Sequence, residues 1–294
     1  MRTKRAVLML VLSIVAVPIL AIVGTVPVAA QSGPPSYAPG QLDQMVARVA
    51  LYPDPLLAQI LAAATYPDQI PDAARWADEH HYLSGQALAD AIQADQLPWD
   101  PSVQALLPFA SVLDMMASDM QWTSDLGNAF LAQQQDVMDA VQRDRRQARD
   151  FGYLRSNGEI VVGGGPYITI MPVDPGFLVV PYYDPAIVFV APRPGFVVGG
   201  AIRFGFGVSI GGFFRPWGLG FGRFDWGGHA VIINNAPWRR TWVNRGAYAH
   251  PYAGVRRFSP AERAPERHEL HARTERERAA PREGRRAEEE HGRR

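Results

Sequence analysis

The hydrophobic period of this 294-residue chain changes once, near residue 151, and that change limits the folds open to it. From Gln41 to about Phe151 apolar residues recur at helical spacing. After Gly152 they alternate with glycine at a period of two, or stand in short runs closed by proline. A stripe at i, i+4, i+7 needs a helix, and an alternation needs a strand. The expectation is an α+β chain. An N-terminal bundle of five or six helices (41–151) precedes a small Pro/Gly/aromatic-rich β region (152–254).

Punctuation supports the helical half. Asp54-Pro55 and Asp100-Pro101 each place a carboxylate at a capping position before a proline, whose missing N–H costs nothing in the first helical turn. Ser84 starts another helix through Leu88 and Ile92. The longest helix is expected from Thr123 or Ser124, with Leu126, Phe130, Val137, Val141 and Ala148 as one apolar stripe. Trp76, Trp99 and Trp122 recur at equal intervals, but their flanks differ, so they read as core anchors and not as a repeat.

In the second half, Val173–Tyr182 and Tyr183–Pro192 are near-copies, each an Asp-Pro turn followed by a β-branched or aromatic run. With Tyr167–Ile170 they suggest a small meander of strands kept short by proline. Ile202, Phe204, Phe206, Val208 and Ile210 then alternate with small residues, and Trp217, Leu219 and Phe221 repeat the pattern. A hairpin turning at Phe214–Trp217 is the first reading; a glycine-zipper helix over 195–222, from Gly195/Gly199 and Gly207/Gly211, is the alternative. Arg203 and the cost of glycine in a helix, about 1 kcal/mol per residue, favour the strands.

The two ends differ from both halves. Arg2, Lys4 and Arg5 precede an apolar run from Ala6 to Val23 and the small-residue site Val28-Ala29-Ala30, the order of a cleaved signal peptide (1–30). The chain is therefore expected to be exported, to the periplasm or outer cell surface, with residues 31–40 as a flexible linker. There is no cysteine, which excludes a lipid anchor at the cleavage site and leaves the core to hold the fold. From Val255 the chain alternates Arg and Glu around few large apolar residues, the composition of a disordered tail (255–294).

The overall charge of zero hides an asymmetry. Residues 31–151 carry 6 Arg against 16 acids, net −10, while 152–254 carry 8 Arg against 4 acids, net +4. Such a division can orient a partner or dock internally. After the leader, 26 Arg face 29 acids, net −3, which does not suit a nucleic-acid binder.

The helical motifs make the chain recognisable. Ala50–Leu61, Ala64-Thr-Tyr-Pro67, Ala74-Arg-Trp76, Pro98–Leu107 and the stretch from Trp122 to Gln142, continued by Pro181–Pro185 and the Gly/Trp/Phe-rich region, resemble the bacterial family catalogued as domain of unknown function 3300. The resemblance runs from about Gln41 to Tyr252. It implies an exported envelope protein of Gram-negative bacteria and supplies no catalytic residue, ligand or cofactor.

Several residue groups invite chemistry and have plainer readings. Gly207-Val-Ser-Ile-Gly211 fits a nucleophile elbow, with Asp225 and His229 following, but Pro216 sits where the supporting helix should run. Asp78-Glu-His-His81 lacks the i, i+4 spacing that aims two histidines at one ion. Asp43, Asp90, Asp136 and Asp139 read as polar helix faces before they read as a glycosidase pair. No catalytic, cofactor or metal site is assigned. The aromatics are the candidate contact surface: Phe213, Trp217, Phe221, Trp226, Trp238 and Trp242 either pack inward, meet an envelope protein or a second copy, or stack on cell-wall glycan. Membrane contact through residues 195–214 is a further possibility. The function expected is a non-enzymatic envelope interaction module acting through the β region, with a cell-wall hydrolase or glycan-processing enzyme as the alternative.

Overall fold

Proline and aspartate start most of the helices, as their conformational limits dictate. The structure, a computed structural model, describes residues 33–193, 199–220 and 222–248; the expected leader, the tail and Phe221 lie outside them. Its helical half consists of α1 (Pro39–Val46), α2 (Asp54–Ala64), α3 (Ile70–Glu79), α4 (Gly85–Ala94), α5 (Pro101–Gln104), α6 (Ala110–Ser118), α7 (Met120–Ala132) and α8 (Gln134–Asp150). Proline occupies the first or second position of α1, α2, α3 and α5. Asp100 caps α5, accepting from the Ser102 N–H at 2.9 Å. Ser84 holds the expected position before α4 but makes no side-chain capping bond. Asp54 is not a cap. It is the first residue of α2, and its carboxylate turns inward.

All eleven residues of α2 are buried, because the helix is apolar on every side and so needs cover on every side. Against it α7 comes so close that a Cβ on Gly127 would lie 1.9 Å from the Ala64 carbonyl oxygen. The expected long last helix starts earlier, at Met120, where Asp119 accepts from the Trp122 N–H at 3.0 Å. It also breaks at Gln133, which leaves helical geometry (φ −137°, ψ 49°). There the side chain accepts from the Tyr37 N–H at 2.7 Å and donates to Asp136 at 2.9 Å. The five stripe residues are nonetheless all fully buried.

The second half pairs in four small antiparallel sheets. β1 (Ile160–Val162) pairs with β2 (Ile170–Pro172). β3 (Phe177–Leu178) and β4 (Pro181–Tyr182) precede a short helix, α9 (Pro185–Val188). β5 (Arg203–Phe204) pairs with β4, and β6 (Val208–Ser209) with β3. β7 (Gly222–Asp225), β8 (Ala230–Ile233) and β9 (Ala236–Pro237) form a three-stranded meander. The two ten-residue near-copies therefore diverge. Asp174 and Asp184 each close the same turn, accepting from Gly176 and Ala186 N–H, but the first copy continues as a strand and the second as α9.

The expected hairpin across Phe214–Trp217 is not formed. Those residues lie in a 3-10 helix (Gly212–Trp217), the strands before it return to β3 and β4, and β7 pairs forward with β8. The glycine-zipper alternative is not found among the described residues of 199–222 either. Both halves share one core. Leu56, Leu57, Ile60 and Phe130 from the helices pack with Phe214, Trp217, Leu219, Trp226 and Val231 from the β region. Gly222 lets β7 lie flat on α2, since a Cβ there would stand 3.1 Å from the Pro55 carbonyl oxygen. A second, smaller cluster unites Leu51, Ala148 and Leu154 with Ile160, Ile168, Ile170, Val179 and Val188.

Candidate contact surface

The rings singled out in the sequence turn mostly inward, which corrects the expectation that they form an outer face. Trp217 is 2% exposed; its indole donates to Gln104 at 2.7 Å, and its carbonyl accepts from Gln59 at 3.3 Å. Trp226 is buried beside Asp54 and stacks on Phe224 at 4.2 Å. Trp238 is buried against Phe130 at 5.0 Å. Phe213 and Trp242 are half-buried on the same core, and Phe221 falls outside the described residues. The reason is composition: α2 is apolar all round, and the bundle alone does not cover it. Among the polar neighbours, Arg240 is also internal. It donates to the Thr65 carbonyl and hydroxyl and lies 3.7 Å over the Tyr66 ring.

A different set of apolar side chains faces outward, and a break in the alternation puts it there. Residues 177–182 run antiparallel to 203–209, with Leu178 opposite Val208 and Pro181 opposite Phe204. Between those pairs Val179 and Val180 face three residues, Gly205, Phe206 and Gly207. One extra residue in one strand is a β-bulge, which bends the strand and re-aims a side chain. Before the bulge Ile202 and Phe204 pack on the smaller cluster, and after it Val208 and Ile210 join the main one. Phe206, between them, is 100% exposed.

The flanking glycines are not bare. The Tyr182 ring lies over Gly205, and the Phe177 ring beside Gly207, where an added Cβ would meet them at 3.0 and 3.5 Å. Phe177 and Tyr182 are themselves 46% and 47% exposed. Next to Phe177, Val173 helps line a shallow cavity of about 290 Å³ shared with Gly207 and edged by Glu159 and Asp174. On the adjoining hairpin Val161 and Met171 are cross-strand partners, and both are exposed. The cavity is thus walled by Val173 and Phe177, with an acidic edge at Glu159 and Asp174. The sequence signal for it was Gly205-Phe206-Gly207, a large ring between two glycines.

The outer edge of β1 is closed. Its outward N–H groups, on Ile160 and Val162, donate to Asn157 Oδ1 and Ser156 Oγ, both at 2.9 Å. Ile170 of β2 points its N–H at Asp54, 3.4 Å away. The outward N–H groups of β1 are therefore not free to pair with a further strand.

Most of the residues read as possible chemistry already have a structural partner. Ser209 lies in β6, Asp225 accepts from the Gly228 N–H at 2.9 Å, and His229 Nε2 meets Asp139 Oδ1 at 3.0 Å. His80 stacks on Trp76 at 3.9 Å with Nδ1 at the Trp76 carbonyl, and His81 Nδ1 lies at the Asp78 carbonyl. Among the described residues no three His, Asp or Glu side chains gather as metal ligands. Asp43 pairs with Arg143, Asp90 with Gln86 and Asp136 with Gln133. No described helix is long and apolar enough to cross a membrane.

These features define an α+β protein in which a helical bundle and a glycine-rich β region are two parts of one core. The chain belongs to the family described as protein of unknown function (DUF3300), whose pattern matches residues 38–253. It is similar to the uncharacterized protein YacH of Escherichia coli (strain K12), 36% identical over 187 residues. That match covers 52% of this chain and 30% of the relative, so the chain corresponds to under a third of the relative's length. No solved structure matches it.

Proposed function

We propose that this is an exported, non-enzymatic contact protein of the cell envelope that binds a protein partner through the bulged ribbon and the adjoining β1–β2 face. Phe206 carries the reading: a fully exposed ring at a bulge, beside the half-exposed Phe177, contributes nothing to the core and is set out for contact. The acidic edge at Glu159 and Asp174 calls for a partner that brings Arg or Lys beside an apolar side chain. The leader-like start of the sequence supports export. The ionisable pairs described above tie elements together, and each has a structural use.

The test places a photo-crosslinking phenylalanine analogue at position 206 of the full chain in its native cell. One discrete protein adduct, abolished by Phe177→Ser, is the expected result. Adducts to cell-wall glycan instead, or clearing of a peptidoglycan suspension by the purified chain, would overturn the reading.

A further inference from the structure

Residues 143–145 of α8 read Arg-Asp-Arg, and their three side chains meet different ends. Arg143 Nε donates to Asp43 Oδ1 at 2.8 Å, and Arg145 donates to Asp54 Oδ1 at 2.6 Å. Asp144 lies between them, 4% exposed, with its Oδ2 buried and without a hydrogen-bond partner among the described residues. Both neighbouring guanidiniums already serve other carboxylates. An anion here would lack the compensation that burial demands.

The groups around it sharpen the point. From α1 Asp43 faces it with a like charge; on its own helix Arg143 is the opposing cation. Tyr183, which follows β4, senses Asp144 together with Tyr52 and Arg145. Burial first, and then the Asp43 charge, push the Asp144 carboxyl up to about 8 against the pull of Arg143.

Tyr183 pins its segment to the bundle. Its hydroxyl donates to the Ala47 carbonyl at 2.9 Å and accepts from the Leu51 N–H at 3.2 Å. The same Pro181–Pro185 segment walls a groove of about 260 Å³ whose other side is Arg48, Tyr52, Ser111 and Met115. Across it the Tyr182 hydroxyl reaches Ser111 Oγ at 3.3 Å.

We propose that Asp144 is a proton-operated latch: as the neutral acid it lets the Tyr183 segment lie against α1 and α8, and as the anion it releases that segment and opens the groove. The anion repels Asp43 and draws water into the face of α8 on which the segment rests, where Gln147, one turn beyond Asp144, donates to the Phe189 carbonyl at 2.6 Å, so hydration of Asp144 works against segment closure. This holds whatever the bulged ribbon binds.

The experiment is hydrogen exchange of the peptide covering residues 177–190 in the full chain, corrected for the intrinsic pH dependence of exchange. Protection there should fall by up to about tenfold for each pH unit between about pH 4 and about pH 8 and level off above that. In Asp144→Asn it should stay level, and Asp43→Asn should move the fall to lower pH. Level protection in the wild type, or a fall in Asp144→Asn matching the wild type, would overturn the latch. Should that variant not fold, the carbon-13 carboxyl resonance of Asp144 in the wild type decides: a midpoint near 8 supports the latch, and one near 4 sinks it.

Discussion

Arg145 and Asp54 are 91 positions apart and meet at 2.6 Å in the middle of the protein. The guanidinium also donates to the carbonyls of Ala50, Tyr52 and Ile168 and lies 5.0 Å from the Trp226 ring. One side chain thereby joins α8, the turn before α2, the approach to β2 and the end of β7. Burial pushes the Asp54 carboxyl up, and the guanidinium together with the Ile170 N–H and the Trp226 indole pulls it back.

Removing one partner of such a pair leaves the other charged and buried. Arg145→Ala is expected to cost about 3–5 kcal/mol in urea denaturation. Arg145→Met combined with Asp54→Asn should recover part of that loss, because no orphaned charge remains. Independent, additive effects of the two changes would show that the pair is not coupled.

Gly127 sits where α7 touches the end of α2. A methyl group there meets backbone, with the Ala64 carbonyl oxygen at 1.9 Å, and the backbone cannot swing aside as a flexible side chain does. Gly127→Ala should lower stability by about 3 kcal/mol or more despite its better helix propensity. An unchanged denaturation midpoint would contradict this packing.

Asp144 gives stability a pH dependence of unusual sign for a carboxylate. Its folded pKa is about 8 and its ordinary value 3.8, so between these limits the unfolded chain has lost a proton that the folded one keeps. Stability from this group is complete below about pH 4 and falls as pH rises to about 8, by at most about 1.4 kcal/mol per unit. Denaturant midpoints of the wild type and Asp144→Asn across this range measure it. The two curves should diverge as the pH is raised.

Phe206 and Trp217 separate contact from folding. Phe206→Ser should leave the melting temperature unchanged, because the ring is fully exposed, while abolishing the crosslinked complex. Trp217→Ala removes a buried ring and its bond to Gln104, and should cost about 3–5 kcal/mol. Loss of stability in Phe206→Ser would place that ring in the core after all.

Much of the helical half was legible in the sequence because its signals are local. The Asp100 cap, the prolines opening α2 and α5, and the stripe from Leu126 to Ala148 each act within a few residues. The break at Gln133 was not legible, since it depends on Tyr37, 96 positions away. In the β region the alternation was real, but one strand cannot show that its partner is a residue short. The bulge and the exposure of Phe206 follow from that mismatch.

By itself the sequence determined the helix starts at Asp54-Pro55, Ser84 and Asp100-Pro101, that the second half forms short strands, and that glycines alternate with large side chains. Tertiary structure decided which strands pair and which rings face water. Periodicity records that a residue has two faces, but which face is buried depends on distant surfaces needing cover. Here α2 is apolar on every side, and Trp217 closes over Gln59 of that helix from 158 positions away. The tryptophans that looked like a surface are drawn into the core by that demand, and the ring left fully exposed is Phe206 at the bulge.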